Sequence, residues 1–336
     1  MSLGDRVLLA HGGGGSLSGA LIREVFVEAF ANPALLPLGD SAVLELPGSR
    51  LAFTTDGYVV SPPFFPGGDI GTLAVAGTVN DLAVSGARPR FLSCSFILEE
   101  GFPLPDLRRV VASMAATAQE AGVSLVAGDT KVVERGSADG IFISTSGMGE
   151  LRELPAGWGM PGPGDCVLIN GTIGDHGFAV LAAREGLDFQ TPLRSDCAPL
   201  NGLIDALFDA GLALRFLRDA TRGGVAAILN ELASGHEWGI ALQGAALPFS
   251  PAARSLGEIL GIDPLYAANE GKVVVVVDGA GAGRALQVMR SHPLGREAAL
   301  IGALESGLDG LVVVETGLGA RRILDMPLGE QLPRIC

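Results

Sequence analysis

Glycine punctuates this chain. Its 49 glycines in 336 residues are about twice the ordinary share of roughly 7%, and they gather at the ends of apolar runs instead of in one flexible stretch. Glycine takes left-handed backbone without steric cost and lets neighbouring chain approach closely, so this distribution predicts many tight strand-to-helix junctions. With 48% hydrophobic and 18% charged residues, such a chain can bury a sizeable core and divides most naturally into two domains.

In the first half, Arg50–Thr55 reads as a short strand and Ser61–Gly68 as a Pro and Gly cluster. Asp69–Ser85 reads as a helix, with Asp69 at its N-cap and Gly86 just past its end. Strands are expected at Arg90–Leu98, Val123–Ala127 and Gly140–Met148, and an amphipathic helix over Pro105–Ala121. Pro155–Gly164 has the composition of a linker. The pattern then restarts with strand Asp165–Asn170, helices Asp175–Glu185 and Leu200–Ala210, a loop at Asp219–Gly224, helix Val225–Ser234 and strand Gly239–Gln243. Gly271–Asp278 is a Val-rich run of the kind buried on both faces of a sheet. Helix Gly281–His292 and strands near Ala298–Leu304 and Gly310–Glu315 follow.

These patterns predict an α/β fold of mixed α+β strand order in two halves, 1–154 and 155–322, with 323–336 as a flexible tail. At roughly 3.3 Å per residue that tail reaches on the order of 45 Å, enough to carry the terminal Cys336 into a pocket of its own subunit or of a partner.

A net charge of −14 with only 23 scattered basic residues argues against a nucleic-acid or anionic-membrane surface, which needs clustered Lys and Arg. It does not exclude a nucleotide, because Mg2+ bridges carboxylates to phosphates. Residues Met1–Leu9 lack the basic-then-apolar pattern of a signal segment, and no window has the length of a membrane span; a cytoplasmic protein is expected. Cys94, Cys166, Cys197 and Cys336 are too widely spaced for a CxxC zinc or redox motif. Three of them read as ordinary thiols. Cys336 stands apart, since a thiol on the chain end contributes little packing.

Carboxylates stand where an apolar element should continue. Asp56 follows Phe53-Thr54-Thr55, Asn80-Asp81 interrupts the helical run Ala74–Ala87, and Asp129 precedes Thr130-Lys131 at the end of an apolar run. An unpaired buried carboxylate is costly, so each calls for a cation, a donor network or solvent. Acids at strand ends are well placed to converge on Mg2+ held jointly with phosphates, and Asp40 and Asp219, each beside a turn, could complete the set. Two glycine-rich loops could present backbone N–H groups to phosphate: His11-Gly12-Gly13-Gly14-Gly15-Ser16 and Asp219-Ala220-Thr221-Arg222-Gly223-Gly224. Neither matches GxxxxGK[ST] or GxGxxG. Lys131 follows Asp129-Thr130 toward any metal–phosphate cluster there, and Glu270, just before the Val-rich strand, is placed to act as a base.

Taken together, six stretches closely resemble the HypE family of the PurM-like ATP-binding superfamily. They are Phe65-Pro66-Gly67-Gly68-Asp69-Ile70-Gly71, Gly77-Thr78-Val79-Asn80-Asp81-Leu82-Ala83, Gly128-Asp129-Thr130-Lys131 through Gly136, Asp219–Gly224, Asn269-Glu270-Gly271-Lys272 and Pro333-Arg334-Ile335-Cys336. The terminal tetrapeptide is the most specific, and the first loop departs from the family in carrying Gly13 where Ser is common. The resemblance implies a two-domain PurM-like fold whose N-terminal halves pair into a dimeric, barrel-like sheet, with ATP between the two domains of each subunit. It implies nucleotide contacts from His11, Gly12, Gly13, Gly14, Asn80, Thr130, Arg222 and Gly223, and Mg2+ ligands among Asp40, Asp56, Asp81, Asp129 and Asp219.

It further implies the reaction, an ATP-dependent dehydration of an S-carbamoyl group on Cys336 to a thiocyanate. The cyanide is destined for the iron of [NiFe]-hydrogenase, and Lys131 and Glu270 assist the chemistry. The implied partners are a second copy of the chain, the carbamoyltransferase HypF and a HypC–HypD complex as cyanide acceptor. Selenophosphate synthetase, thiamine-phosphate kinase and aminoimidazole ribonucleotide synthetase share the ATP site but give no reason for a terminal Pro-Arg-Ile-Cys. A non-catalytic carrier would need the cysteine but not the aspartates.

Overall fold

The computed structural model describes residues 15–21, 23, 37–38, 42–46, 49–187, 193–317, 319–329, 332 and 334–336. Two β-sheets dominate. The first contains β1 (Ala42–Leu46), β2 (Ser49–Tyr58), β5 (Ala87–Glu99), β6 (Ser124–Val133) and β7 (Ile141–Leu151) in the order β1-β2-β7-β5-β6. Only the β5–β6 pair is parallel. A short hairpin, β3 (Phe64–Phe65) and β4 (Gly68–Asp69), leads into the first long helix.

That helix, α2 (Ile70–Val84), follows the short α1 (Gly15–Leu21) and is buried on nearly every side, the signature of a core helix and not of an amphipathic surface one. Asp69 caps it by accepting from the N–H groups of Gly71 and Thr72, and Ser85 closes it before Gly86 turns away at a φ of 86°. These are the expected caps. One side of α2 packs on β2, β5 and β7, beside α3 (Leu104–Ala121); the other meets α5 (Asn201–Asp209) and β9 (Leu214–Asp219) of the second half.

The second sheet runs β14-β13-β10-β12-β8-β11-β9, adding β8 (Cys166–Ile169), β10 (Trp238–Gln243), β11 (Val273–Val277), β12 (Ala299–Ser306), β13 (Val312–Glu315) and β14 (Arg321–Ile323). Five consecutive valines make β11, and the alternation of a strand sends them to opposite sides. Val274 and Val276 join the cluster under α6 (Gly224–Ala233), while Val273, Val275 and Val277 join the one under α5 and α8 (Ala282–Ser291). Helices α4 (Asp175–Arg184) and α7 (Pro251–Leu260) complete the second half. No helix among the described residues is long and apolar enough to cross a membrane.

Three departures from the sequence reading have local causes. Strand β6 does not stop at Ala127 but runs on to Val133, because β5 offers it a continuous parallel partner as far as Glu99. Likewise β2 passes through Asp56, which pairs with Thr145 of β7. Helix α7, not anticipated from the pattern, is started by Ser250, which caps Ala253 N–H, with Pro251 opening the first turn.

The approach of α2 to α3 is close enough to require Gly71, where an added Cβ would lie 2.3 Å from the Val110 carbonyl oxygen. Gly71→Ala should therefore lower unfolding free energy by about 1–3 kcal/mol through overpacking, measured as a reduced denaturant midpoint at unchanged slope.

Candidate active site

Helix α2 carries polar side chains into the gap between the two halves. Thr78 shares its hydroxyl with Tyr58 Oη at 3.3 Å and with Thr145. Asn80, 1% exposed, donates to the carbonyls of Ala198 (3.1 Å) and Glu270 (3.4 Å) and accepts from Leu200 N–H (2.7 Å). Its amide thus bonds to protein on both ends and positions chain of the second half. Asp81 accepts from Thr54 Oγ1 at 2.9 Å.

Opposite α2 lies the turn Asn269-Glu270-Gly271-Lys272 at the mouth of β11. Asn269 ties it to the neighbouring loop, donating to Ala220 O and accepting from Gly174 N–H. Asp196 holds the rest. Its carboxylate accepts from the N–H groups of Glu270 and Gly271, both at 3.1 Å, and from Lys272 Nζ at 2.8 Å. The fit is tight, since a Cβ on Gly271 would sit 1.9 Å from the Asp196 carbonyl oxygen. Burial pushes the Asp196 carboxyl up, but Lys272, His176 and the hydrogen bonds outweigh it and hold it below the usual range.

Glu270 itself is 3% exposed, and its Oε1 has no hydrogen-bond partner among the described residues. Burial first, then repulsion from Asp219, Asp196 and Asp56, raises its carboxyl well above the ordinary value, with Arg222 opposing. Burial also raises the Tyr58 phenol, with Asp56, Asp81 and Glu270 adding to it. Asp56, Asp81, Asp219 and Glu270 therefore act electrostatically on one neighbourhood.

Arg222 stands in the loop between β9 and α6, where Gly223 takes a φ of 76° at the helix N-cap. Its Nη1 lies 3.5 Å from Cys336 Sγ. The charge of Cys336 foremost, then Asp56 and Glu270, raises the guanidinium pKa against the effect of burial. The terminal thiol and the buried acid thus share one cation.

The chain end, expected as a flexible tail, is docked in this structure. After pairing with β13 as β14, it passes Asn230, which donates to Leu324 O, and crosses to the first half. Leu332, Ile335 and Cys336 are buried there in the cluster that includes Tyr58, Phe65 and Phe178. Backbone bonds join Val59 N–H to Cys336 O and Ser61 N–H to Arg334 O, each at 3.1 Å. Arg184 donates to Arg334 O at 2.6 Å and His176 Nε2 to Ile335 O at 2.6 Å.

Other expected residues lie elsewhere. Asp129, Thr130 and Lys131 stand on β6, exposed along nearly its whole length, where Lys131 pairs with Asp129 at 3.0 Å. Lys131 and the Thr130 N–H together lower the Asp129 carboxyl. The described contacts do not bring these three to Glu270. His11, Gly12, Gly13, Gly14 and Asp40 fall outside the described residues. Asp196, Ser195 and His176 were not anticipated, because they lie in or against an irregular segment with no periodic signal.

Among the described residues no three His, Cys, Asp or Glu side chains are gathered closely enough to hold a metal by themselves. That still fits Mg2+, which keeps several waters and takes one or two carboxylates together with phosphate oxygens. The mutually repelling acids are a donor set that such a cation would relieve.

Two family models match: the N-terminal domain of AIR synthase related proteins over residues 38–151 and their C-terminal domain over 162–314. Fold and site thus define a two-domain PurM-like protein. A carbamoyl dehydratase HypE of Rhizobium leguminosarum bv. viciae is 52% identical over 338 residues, covering 98% of this chain and 95% of the relative. A crystal structure of a HypE–HypF complex matches with a TM-score of 0.85 at 52% identity, over 92% of this chain and 100% of that one. A HypE structure in complex with ATP matches with a TM-score of 0.82 at 48% identity, over 98% and 100%. The chain belongs to the HypE family of carbamoyl dehydratases.

The raised pKa of Glu270 predicts its effect on stability. A carboxyl whose folded pKa exceeds its unfolded value of about 4.3 costs stability as pH rises from that value toward the folded pKa. Glu270→Gln should remove this loss. The variant should melt at or above the parent temperature near neutral pH in nucleotide-free buffer, with the gap narrowing toward pH 4.

Proposed function

We propose that the chain dehydrates an S-carbamoyl group on its own Cys336 to a thiocyanate, consuming ATP, and so provides cyanide for [NiFe]-hydrogenase. The observation that carries this reading is the docked terminus, with Cys336 Sγ beside Arg222 and Arg222 within the field of Glu270. The family's carbamoyl dehydratase activity and the relative's complex with ATP support it.

The balance is simple. Cys336–S–C(=O)NH2 and ATP give Cys336–S–C≡N, ADP, phosphate and one proton. Phosphorylation of the carbamoyl oxygen by ATP makes that oxygen a leaving group as phosphate, and removal of the nitrogen's protons lets the C–O bond break as the third C–N bond forms. Glu270 is the base we assign, because a buried carboxylate of raised pKa accepts a proton strongly once ionised. Arg222 faces the sulfur and is placed to meet negative charge developing next to it. Mg2+ supplies neutralisation of phosphate charge when bound, and Asp56, Asp81 and Asp219 are the residues we assign to hold it. The docked segment excludes water from the thiol, since Cys336 is only 8% exposed.

We further propose a homodimer formed through the first sheet. Its edge strand β6 exposes Leu125, Val126 and Val132, and the open face presents Phe53, Met148 and Phe91 in register across β2, β7 and β5. A bare edge and an apolar face are liabilities that pairing with a second copy removes. Asp129, Thr130 and Lys131 then lie on the covered edge strand. HypF as carbamoyl donor, in keeping with the relative's complex, and a HypC–HypD acceptor complete the proposal.

Incubating the chain with ATP and the carbamoyltransferase system should yield a terminal peptide one water lighter than its carbamoylated form by mass spectrometry. A carrier without catalysis would keep the carbamoyl mass and hydrolyse no ATP. Cys336→Ala should abolish the product while retaining nucleotide affinity. Glu270→Gln should slow single-turnover conversion by about 10²–10⁴ while ATP still binds; undiminished conversion in a stable variant would remove Glu270 from the role. Asp81→Ala should weaken binding of ATP in the presence of Mg2+, measured by calorimetry.

A further inference from the structure

The segment Ser195-Asp196-Cys197 bonds directly to the Glu270 turn and, through His176, to the docked terminus. On one side His176, wholly buried, bridges the two. Its Nε2 contacts the Ile335 carbonyl oxygen at 2.6 Å and its Nδ1 the Ser195 hydroxyl at 2.7 Å. A carbonyl can only accept, so Nε2 carries the proton, and the neutral ring accepts at Nδ1 from Ser195. Burial lowers the imidazole pKa, in keeping with the neutral form. Ser195 Oγ in turn accepts from Cys197 N–H at 3.1 Å, and Ser195 N–H donates to Pro66 O at 2.7 Å.

On the other side of the same turn of chain, Asp196 grips Glu270, Gly271 and Lys272. Phe65 meets the His176 ring edge-on at 5.4 Å, which fixes its plane. An unbroken path of short hydrogen bonds and one peptide unit therefore joins the residue next to the thiol with the backbone of the proposed base. None of its members reaches the reacting atoms.

We propose that His176 is a positioning residue. It clamps the Ile335 carbonyl and, through Ser195 and Asp196, sets the terminal cysteine and Glu270 in register with each other. The clamp reads backbone, so it holds the chain end whatever group the sulfur bears. The inference rests on the dehydration proposed above, but one arm of its test does not depend on catalysis.

The first measurement is the alkylation rate of Cys336 by iodoacetamide in the full-length, nucleotide-free protein, followed on the terminal peptide by mass spectrometry. His176→Phe keeps a ring against Phe65 but cannot donate, and losing one buried hydrogen bond should raise this rate about tenfold. His176→Gln, which can still present a donor to Ile335, should restore much of the protection. The second measurement is single-turnover dehydration. Both His176→Phe and Ser195→Ala should slow it about tenfold or more, at unchanged affinity for ATP.

A purely structural histidine would leave Cys336 protected in any variant that folds. Parent-like alkylation together with parent-like conversion in His176→Phe would overturn the proposal. If His176→Phe fails to fold, Ser195→Ala, at a half-buried position, decides alone: parent-like conversion overturns the relay and slowed conversion upholds it. If the parent itself forms no thiocyanate, the dehydration reading falls, and the alkylation arm still decides whether His176 holds the chain end.

Discussion

A single buried amide organises the meeting of the two halves. Asn80 sits, 1% exposed, in a helix buried on nearly every side, so its hydrogen bonds are found within the protein. It finds them at Ala198, Leu200 and Glu270, residues 118 to 190 positions distant in sequence. The amide therefore dictates where the irregular segment 193–200 and the β11 turn lie against α2. Asp196 then repeats the device one layer out, with a carboxylate whose ion pair to Lys272 is buried on both sides, at 6% and 10% side-chain exposure. Such a pair contributes little net stability, but removing either partner strands a buried charge. Its value here is geometric: it fixes the backbone that bears Glu270.

With that backbone fixed, the electrostatics follow. The fold sets the buried Glu270 in the field of Asp219, Asp196 and Asp56, while Asp196 is itself ion-paired with Lys272. Lys272, His176 and hydrogen bonds hold the Asp196 carboxyl below the usual range, whereas burial and the remaining acids raise that of Glu270, whose Oε1 has no hydrogen-bond partner among the described residues. Two carboxylates in neighbouring positions are thus driven in opposite directions by their surroundings, the arrangement that separates a structural anion from a group able to exchange protons.

Much of the frame was readable from the chain. The caps of α2 at Asp69 and Gly86, and the doubly buried valines of β11, follow from local chemistry and pattern, and the structure carries them. Cys336 and Glu270 stood out by motif, and the structure brings both to bear on Arg222. Strand ends were not, since Asp56 and Asp129 look like terminators by composition, yet cross-strand partners carry both strands past them. Asn80 was legible only in part, because a polar residue in an apolar helix signals a partner without identifying it; the structure supplies Ala198, Leu200 and Glu270. His176, Ser195 and Asp196 were silent because their meaning lies in contacts between 19 and 159 residues away and in a segment without period.

The terminus shows how a chain can be both scaffold and substrate. Burying Leu332 and Ile335 favours docking by roughly 1.5–3 kcal/mol for each side chain. Against this stand the conformational entropy of the ordered residues, about 1–2 kcal/mol apiece, and the left-handed backbone of Arg334 at a φ of 54°, which costs a non-glycine residue about 1–2 kcal/mol. Ordering the last residues costs more than this apolar gain returns, so hydrophobic burial alone does not hold the terminus. The balance passes to polar contacts with backbone: Val59 and Ser61 N–H groups, Arg184 and His176 on the carbonyls of the last three residues, and the Arg334 guanidinium on Val59 O and Asp139. None of these donors touches the sulfur. A terminus held by its backbone and only lightly by its burial can be released and recaptured at modest cost, and its capture is insensitive to the chemistry on the thiol. Those are the two properties that the proposed function requires of the segment, since under it Cys336 is presented to a carbamoyl donor and returned to the site.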